Sequence, residues 1–204
     1  MPQMQQRRER PALARLPASG LEPASATQSV SWLEASTRVA TAMGDVRADA
    51  LWPDDRVLTP RGAVRVANFD VWQGLGTGAG APVVFSPGAI GNAFPLRLGQ
   101  RQPVLVALPE GQSHRGHREL LLPALALVNG EDICLRPCKH IAYVRLILEQ
   151  GDVIVAEGAL CEAAGSMRGR LRAPRLALGA ARLLLAKLRG ESSAAENTGL
   201  PLRG

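Results

Sequence analysis

The chain has 204 residues, of which 46% are apolar, with three Trp, three Phe, one Tyr and a formal net charge of +6. That apolar fraction can build a core and excludes wholesale disorder, while so few aromatic side chains argue against a stacking platform for single-stranded nucleic acid. The basicity sits in the tails: residues 31–165 hold twelve basic and fourteen acidic side chains, and residues 166–204 hold eight basic and two acidic, so the body is mildly acidic and the charge distribution weakens a nucleic-acid reading.

Residues 1–28 are rich in Gln, Arg, Pro and Ala without periodicity and read as a disordered leader. The opening "MPQMQQRRERPALARL" has no continuous apolar stretch and does not read as a secretory signal. No run approaches the ~20 apolar residues of a membrane-spanning helix, and a cytoplasmic protein is expected. From Ser29, short runs rich in Val, Ile and Leu alternate with Pro and Gly: "RVLT", "AVRVANF", the loop "GLGTGAGA", "PVVF", "PVLVAL", "LALV", the turn "NGED", "ICL", "IAYVRLILE", the turn "QGD" and "VIVAEG". In "IAYVRLILE" one face carries Ala142, Val144, Leu146 and Leu148 and the other Ile141, Tyr143, Arg145 and Ile147, a strand buried on one side and largely covered on the other. Many short strands with regular turns predict an all-β body over 29–165.

Beyond that body, "RLRAPRLALGAARLLLAKLRG" predicts a basic amphipathic helix over 166–190, with Pro174 in its first turn and Gly190 as its stop. Arg168, Arg175, Arg182 and Arg189 recur every seven residues beside a stripe of Leu171, Leu178 and Leu185, widened by Leu176 and Leu183. Residues 191–204 read as a disordered tail, and no internal repeat is found.

Cys134, Cys138 and Cys161 are an odd number and make no disulfide framework. With His140 they offer a zinc-ligand set, but the C-x3-C-x-H spacing is unusual and Arg136 and Lys139 repel a cation, so free thiols are the plainer reading. His114 and His117 stand among arginines in "SHRGHRE" and read as a solvated basic loop. Asp152 and Glu157 are five apart on one strand, hence on opposite faces, and do not pair for acid–base work. Asp152 reads as a turn residue and Glu157 as a hydrogen-bond partner of backbone at a strand end. "GTGAG" lacks the following helix and Lys-Ser/Thr of a phosphate loop. No metal or cofactor is expected.

The segment "TRVATAMGDVRADALWPDDRVLT" has the layout T-x-[IV]-A-T-x-x-G-x-x-x-[AV]-x-x-L-x-x-x-D-x-V-L-T, and "GAIGNAFPLRL", "LPALALVNGEDI" and "YVRLILEQGDVIVAEG" follow it in order. Together these blocks resemble the bacterial Hedgehog/intein (Hint) domain family over about residues 31–163. The resemblance implies a horseshoe-like all-β fold of two pseudo-symmetric halves. In active members, it implies, a Cys or Ser at the first residue attacks the carbonyl before it, a histidine supports the acyl shift, and later polar groups help release the intermediate. Such chemistry needs a nucleophile, a proton donor for the leaving nitrogen and donors for the oxyanion.

The family's start, C-F-x-x-G-T-x-[IV], falls on "WLEASTRV", which puts Trp32 at the nucleophile position, with Ser31 one residue early and Ser36 four late. The block resembling L-L-V-S-P-x-H-R falls on "VLVALPEG", with Glu110 where the supporting histidine belongs; "LLPALALVNGE" carries Ala126 in place of another histidine; and Gly151-Asp152 stand where His-Asp or His-Glu is common. The scaffold positions Gly44, Leu51, Asp55, Pro95, Asn129, Gly130, Glu157 and Gly158 are kept. The expected function is a Hint-like scaffold without self-cleavage, acting as a binding or assembly module toward a protein partner or a second copy through Leu171, Leu178 and Leu185; the plain alternative for that helix is docking on its own β-body. Two other readings stand beside it: residual N-to-O acyl-shift cleavage from Ser31 or Ser36, and binding of a membrane surface or anionic polymer through residues 166–190.

Overall fold

The computed structural model describes residues 31–165 and 173–196. The first half of the body holds β1 (Leu33–Glu34), β2 (Arg38–Thr41), β3 (Gly44–Arg47), β4 (Arg56–Thr59), β5 (Gly62–Gly76), β6 (Val83–Phe85) and β7 (Leu96–Leu98). Then come β8 (Pro103–Ala107), β9 (Glu119–Pro123), the one-turn helix α1 (Ala124–Leu127), β10 (Ile133–Leu135), β11 (Cys138–Leu148), β12 (Val153–Ala156), β13 (Ala159–Glu162), β14 (Ala164–Gly165) and α2 (Leu178–Glu196). The strands join in one curled sheet, ordered β10-β6-β7-β1-β11-β5-β4-β2-β12-β13-β8-β9, with β3 paired to β2 and β14 to β11. The expected all-β fold is observed.

Strand β5 holds the two halves together. Its first residues pair with β4, from Gly62 against Thr59 to Arg65 against Arg56. The remainder pairs with β11, from Val66 against Leu148 to Gly76 against Cys138. The sequence reading ended this strand near Phe69 and began a loop at Gly74, but the pairing carries it on to Gly76. Along β11, Val144, Leu146 and Leu148 are buried in the main core, as its alternation requires. On the other face Tyr143 stacks on Trp72, with ring centroids 5.8 Å apart, and donates its hydroxyl to the Gly80 carbonyl at 3.1 Å. The glycine-rich loop thus caps an aromatic pair: a Cβ on Gly80 would lie 2.4 Å from the Leu75 carbonyl oxygen.

A four-residue turn device occurs twice. In Thr41–Gly44 and again in Thr59–Gly62, the threonine hydroxyl donates to the glycine carbonyl (2.6 and 2.8 Å) and accepts the amide of the residue before that glycine (3.2 Å in both). Both glycines sit at positive φ, 104° and 116°, which side chains disfavour. The recurrence is too short to register as a sequence repeat.

Two stretches differ from their sequence readings. "LALV" forms the single helical turn α1 with Val128 as its end, because an apolar run of four has no period to separate strand from helix. Before α2, Ala173–Leu176 lies extended along edge strand β9: the Leu121 amide donates to Pro174 O and Leu176 donates to Leu121 O, both at 3.0 Å. Satisfying that open edge outweighs continuing the helix backward, so the helix expected over 166–190 is observed over Leu178–Glu196. It passes through Gly190, where a mid-helix glycine costs only about 1 kcal/mol against alanine. Leu176, Leu178 and Leu185 pack partly buried against the chain's own core. Leu171, the leader expected over 1–28 and the tail beyond residue 196 lie outside the described residues.

Candidate functional site

The kept motif residues turn out to be backbone organisers. The Asp55 carboxylate accepts the Trp52 amide at 2.9 Å. The Asn129 side chain accepts the amides of Glu131 and Ile133, at 2.9 and 3.0 Å. Asn92, 1% exposed, donates to the Ser86 and Phe94 carbonyls and accepts the Ile90 amide. Glu157 accepts the Arg38 amide at 2.8 Å, the backbone role its strand-end position suggested. Asp152 is more than a turn residue: it is 3% exposed and paired with Arg61 at 2.8 Å.

The position where chemistry would begin is enclosed from both sides. Leu33 pairs with Val144 of β11 and with Leu98 of β7. One residue earlier, the Gly99 amide donates to the Trp32 carbonyl at 3.0 Å. A Cβ on Gly99 would lie 2.9 Å from the Trp32 Cβ, so this approach needs glycine. Ser31 is buried at 5% exposure, and the carbonyl it would attack belongs to Val30, outside the described residues.

Behind Trp32 runs the turn Gly99–Gln102, closed by the Gln102 amide donating to Gly99 O at 2.9 Å. It is fastened to α1, whose Ala124 and Leu125 amides donate to the carbonyls of Gln102 and Gln100, both at 2.9 Å. Gln102 is fully buried; its Nε2 donates to the carbonyls of Pro103 (3.0 Å) and Glu162 (2.8 Å), and its Oε1 is buried without a partner. Glu162, 1% exposed, binds the Arg175 guanidinium through Oε1 (Nε at 2.9 Å), while its Oε2 is also buried without a partner. Burial pushes the Glu162 carboxyl above its ordinary value, and Arg175 works against that rise. On β11, next to the Val144 that pairs with Leu33, Arg145 pairs with Asp70 at 3.4 Å and keeps a buried Nε–H without an acceptor.

The positions singled out in the sequence do not converge here. Ala126, 5% exposed, is the nearest by connection, since its helix α1 is bonded to the Gly99–Gln102 turn. Glu110 lies exposed in the turn after β8, at the opposite end of the β8–β9 hairpin from Gln102, beyond the strand end at Ala107, itself about 14 Å along the hairpin from Pro103. Gly151 sits in the β11–β12 turn, where Gly165 packs against it. Ser36 is exposed at the other end of β1 and donates its hydroxyl to Glu34. Sequence reasoning missed Gln102 and Arg145. The one available signal for Gln102 was a polar residue between a turn and an apolar strand in "GQRQPVLV".

The three histidines lie elsewhere. His114 and His117 face each other across a tight turn whose Arg115 and Gly116 have φ of 50° and 80°. His140 is exposed on β11, toward the end that pairs with Gly76. Among the described residues no three His, Cys, Asp or Glu gather as a metal site. Cys161 is fully buried, which pushes its thiol up to about 12. No described helix is long and apolar enough to cross a membrane.

Among solved structures, the chain is similar to a bacterial intein-like domain from Clostridium thermocellum, at 12% identity over 65% of this chain and 98% of that one, with a TM-score of 0.48. It is also similar to a DnaB intein from Synechocystis, at 12% identity over 66% and 99%, with a TM-score of 0.43. No curated protein matches the sequence. The family model described as the Hint domain matches residues 33–167, and on that match the chain belongs to the Hint-domain family.

Proposed function

We propose that this chain is a Hint domain that no longer cleaves itself and serves as a binding or assembly module. The observation that carries the reading is the pinning of Trp32 at the domain start, its carbonyl held by Gly99 at 3.0 Å. An indole cannot attack a carbonyl. Gln102, the buried polar side chain of the turn bonded to Trp32, is an amide that neither gains nor loses a proton near neutral pH. Arg145 is a permanent cation and cannot serve as acid or base. The three histidines lie on the β8–β9 turn and on β11 toward Gly76.

The test is the intact mass of the full chain, tagged at both ends, after incubation with and without hydroxylamine or dithiothreitol. A single full-length species over days agrees with the reading. A nucleophile-dependent fragment ending near Val30 overturns it. Ser31 keeps a second reading in play, because it is the buried hydroxyl directly before Trp32. If that fragment forms and is lost in Ser31→Ala, the protein carries out a residual N-to-O acyl shift on itself.

A further inference from the structure

Helix α2, α1 and strand β10 enclose an open groove of about 370 Å³. Its floor is apolar, built from Leu125, Val128, Leu135 and Leu185, and Arg182 and Arg189 stand on its α2 side. Leu135 is 39% exposed, so the floor is open to solvent. The two arginines are seven residues apart, two turns of one helix face, or about 10 Å along its axis. Five other arginines are held in ion pairs, Arg47 by Asp49, Arg61 by Asp152, Arg65 by Glu149 and Asp54, Arg145 by Asp70 and Arg175 by Glu162. Among the described residues Arg182 and Arg189 form no ion pair.

From this juxtaposition we infer that the groove binds an acidic amphipathic peptide segment of another protein, with apolar side chains on the floor and carboxylates on Arg182 and Arg189. The inference rests on the binding-module reading above and names its site and partner chemistry. The volume is at the small end for ligand cavities and takes anchoring side chains of a segment lying across it. Carboxylates suit the arginines because guanidinium groups present paired donors to planar anions. The adjoining stretches outside the described residues do not complement this site: residues 166–172 carry three Arg and residues 197–204 one, and neither carries Asp or Glu. Neither adjoining stretch therefore supplies the complementary charge.

The experiment uses the full chain and a fluorescein-labelled synthetic peptide two heptads long, with two leucines one helical turn apart and glutamates one heptad apart beside them. A control peptide has glutamine for each glutamate. Anisotropy is measured for the wild type and for the double variant Arg182→Glu/Arg189→Glu, whose circular dichroism checks that the exposed substitutions leave the fold intact. The inference expects saturable binding of the acidic peptide to the wild type, weakening as salt is raised. It expects an affinity at least about tenfold lower with the glutamine peptide and with the charge-reversed protein. No saturable binding, equal binding of both peptides, or binding that survives charge reversal overturns it. So does sedimentation showing that a second copy already covers the groove. If the peptide fails to bind while the chain stays intact, only the groove assignment falls; if the chain cleaves itself while the peptide binds, only the loss of self-cleavage falls.

Discussion

The backbones of Gly99 and Trp32 meet so closely that the glycine amide binds the tryptophan carbonyl at 3.0 Å and leaves no room for a Cβ. Gly99→Ala is therefore expected to destabilise the fold by about 1–3 kcal/mol, as overpacking does. Chemical denaturation of the pair Gly99→Ala and Trp32→Gly provides the check. The alanine should cost clearly less in the Trp32→Gly background, and strict additivity of the two changes would mean the contact carries no energy.

Glu162 makes stability depend on pH in a defined direction. Its carboxyl is raised from an ordinary 4.5 by burial, so the folded state holds that proton more tightly than the unfolded state does. Its contribution to stability is full below pH 4.5 and declines as pH rises through the raised folded value. In urea denaturation across pH, the stability of the wild type relative to Glu162→Gln should fall as pH rises from 4.5; a difference that stays flat or grows would refute the assignment. Arg175→Ala should be worse at neutral pH than at low pH, because it leaves a buried carboxylate unpaired.

The thiols should separate by burial. Cys161 is 0% exposed and its thiol is pushed up to about 12, whereas Cys134 and Cys138 are half-buried. Titration of the native protein with a chromogenic disulfide reagent at pH 8 should consume two thiols promptly and the third only after denaturant is added. Prompt reaction of all three would show that β13 opens in the native state.

Tyr143 is the single tyrosine, so an ultraviolet titration reads it alone. Its hydroxyl is bonded to Gly80 O and its burial raises its ionisation above the ordinary 10.0, with the nearby Cys138 and Glu34 adding to the rise and Arg97 opposing it. Phenolate absorbance should appear together with the loss of circular dichroism rather than before it. Ionisation near pH 10 in a folded protein would refute the stacked, capped arrangement.

The β12–β13 hairpin turns on Glu157 and Gly158, at φ of 49° and 91°. A Cβ at Gly158 would also press on Ala93 N and Gly91 O at 3.2 Å. Gly158→Ala should cost about 1–3 kcal/mol in thermal or urea unfolding, whereas Gly190→Ala, in open space on α2, should be neutral or stabilising.

What the sequence by itself determined is what local chemistry controls. Alternation along 141–148 set the buried face of β11, and turn residues such as Gly44, Asn129 and Gly158 set the hairpins, since a turn is decided within about four residues. Ordered motif blocks carried the family, because they are these same backbone organisers at fixed spacing. Local chemistry did not reach three features: the helical state of "LALV", the length of β5, and the extended path of Ala173–Leu176 before α2. Each depends on a partner distant in the chain: the turn bonded to α1, β11 and β9 respectively. The site was the least legible part. Linear spacing pointed to Glu110, but only the pairing of β1 with β7 decided that the turn touching Trp32 is Gly99–Gln102, leaving Glu110 at the far end of a hairpin. Strand order is fixed by burial summed over the whole sheet, and no local run of residues contains that sum.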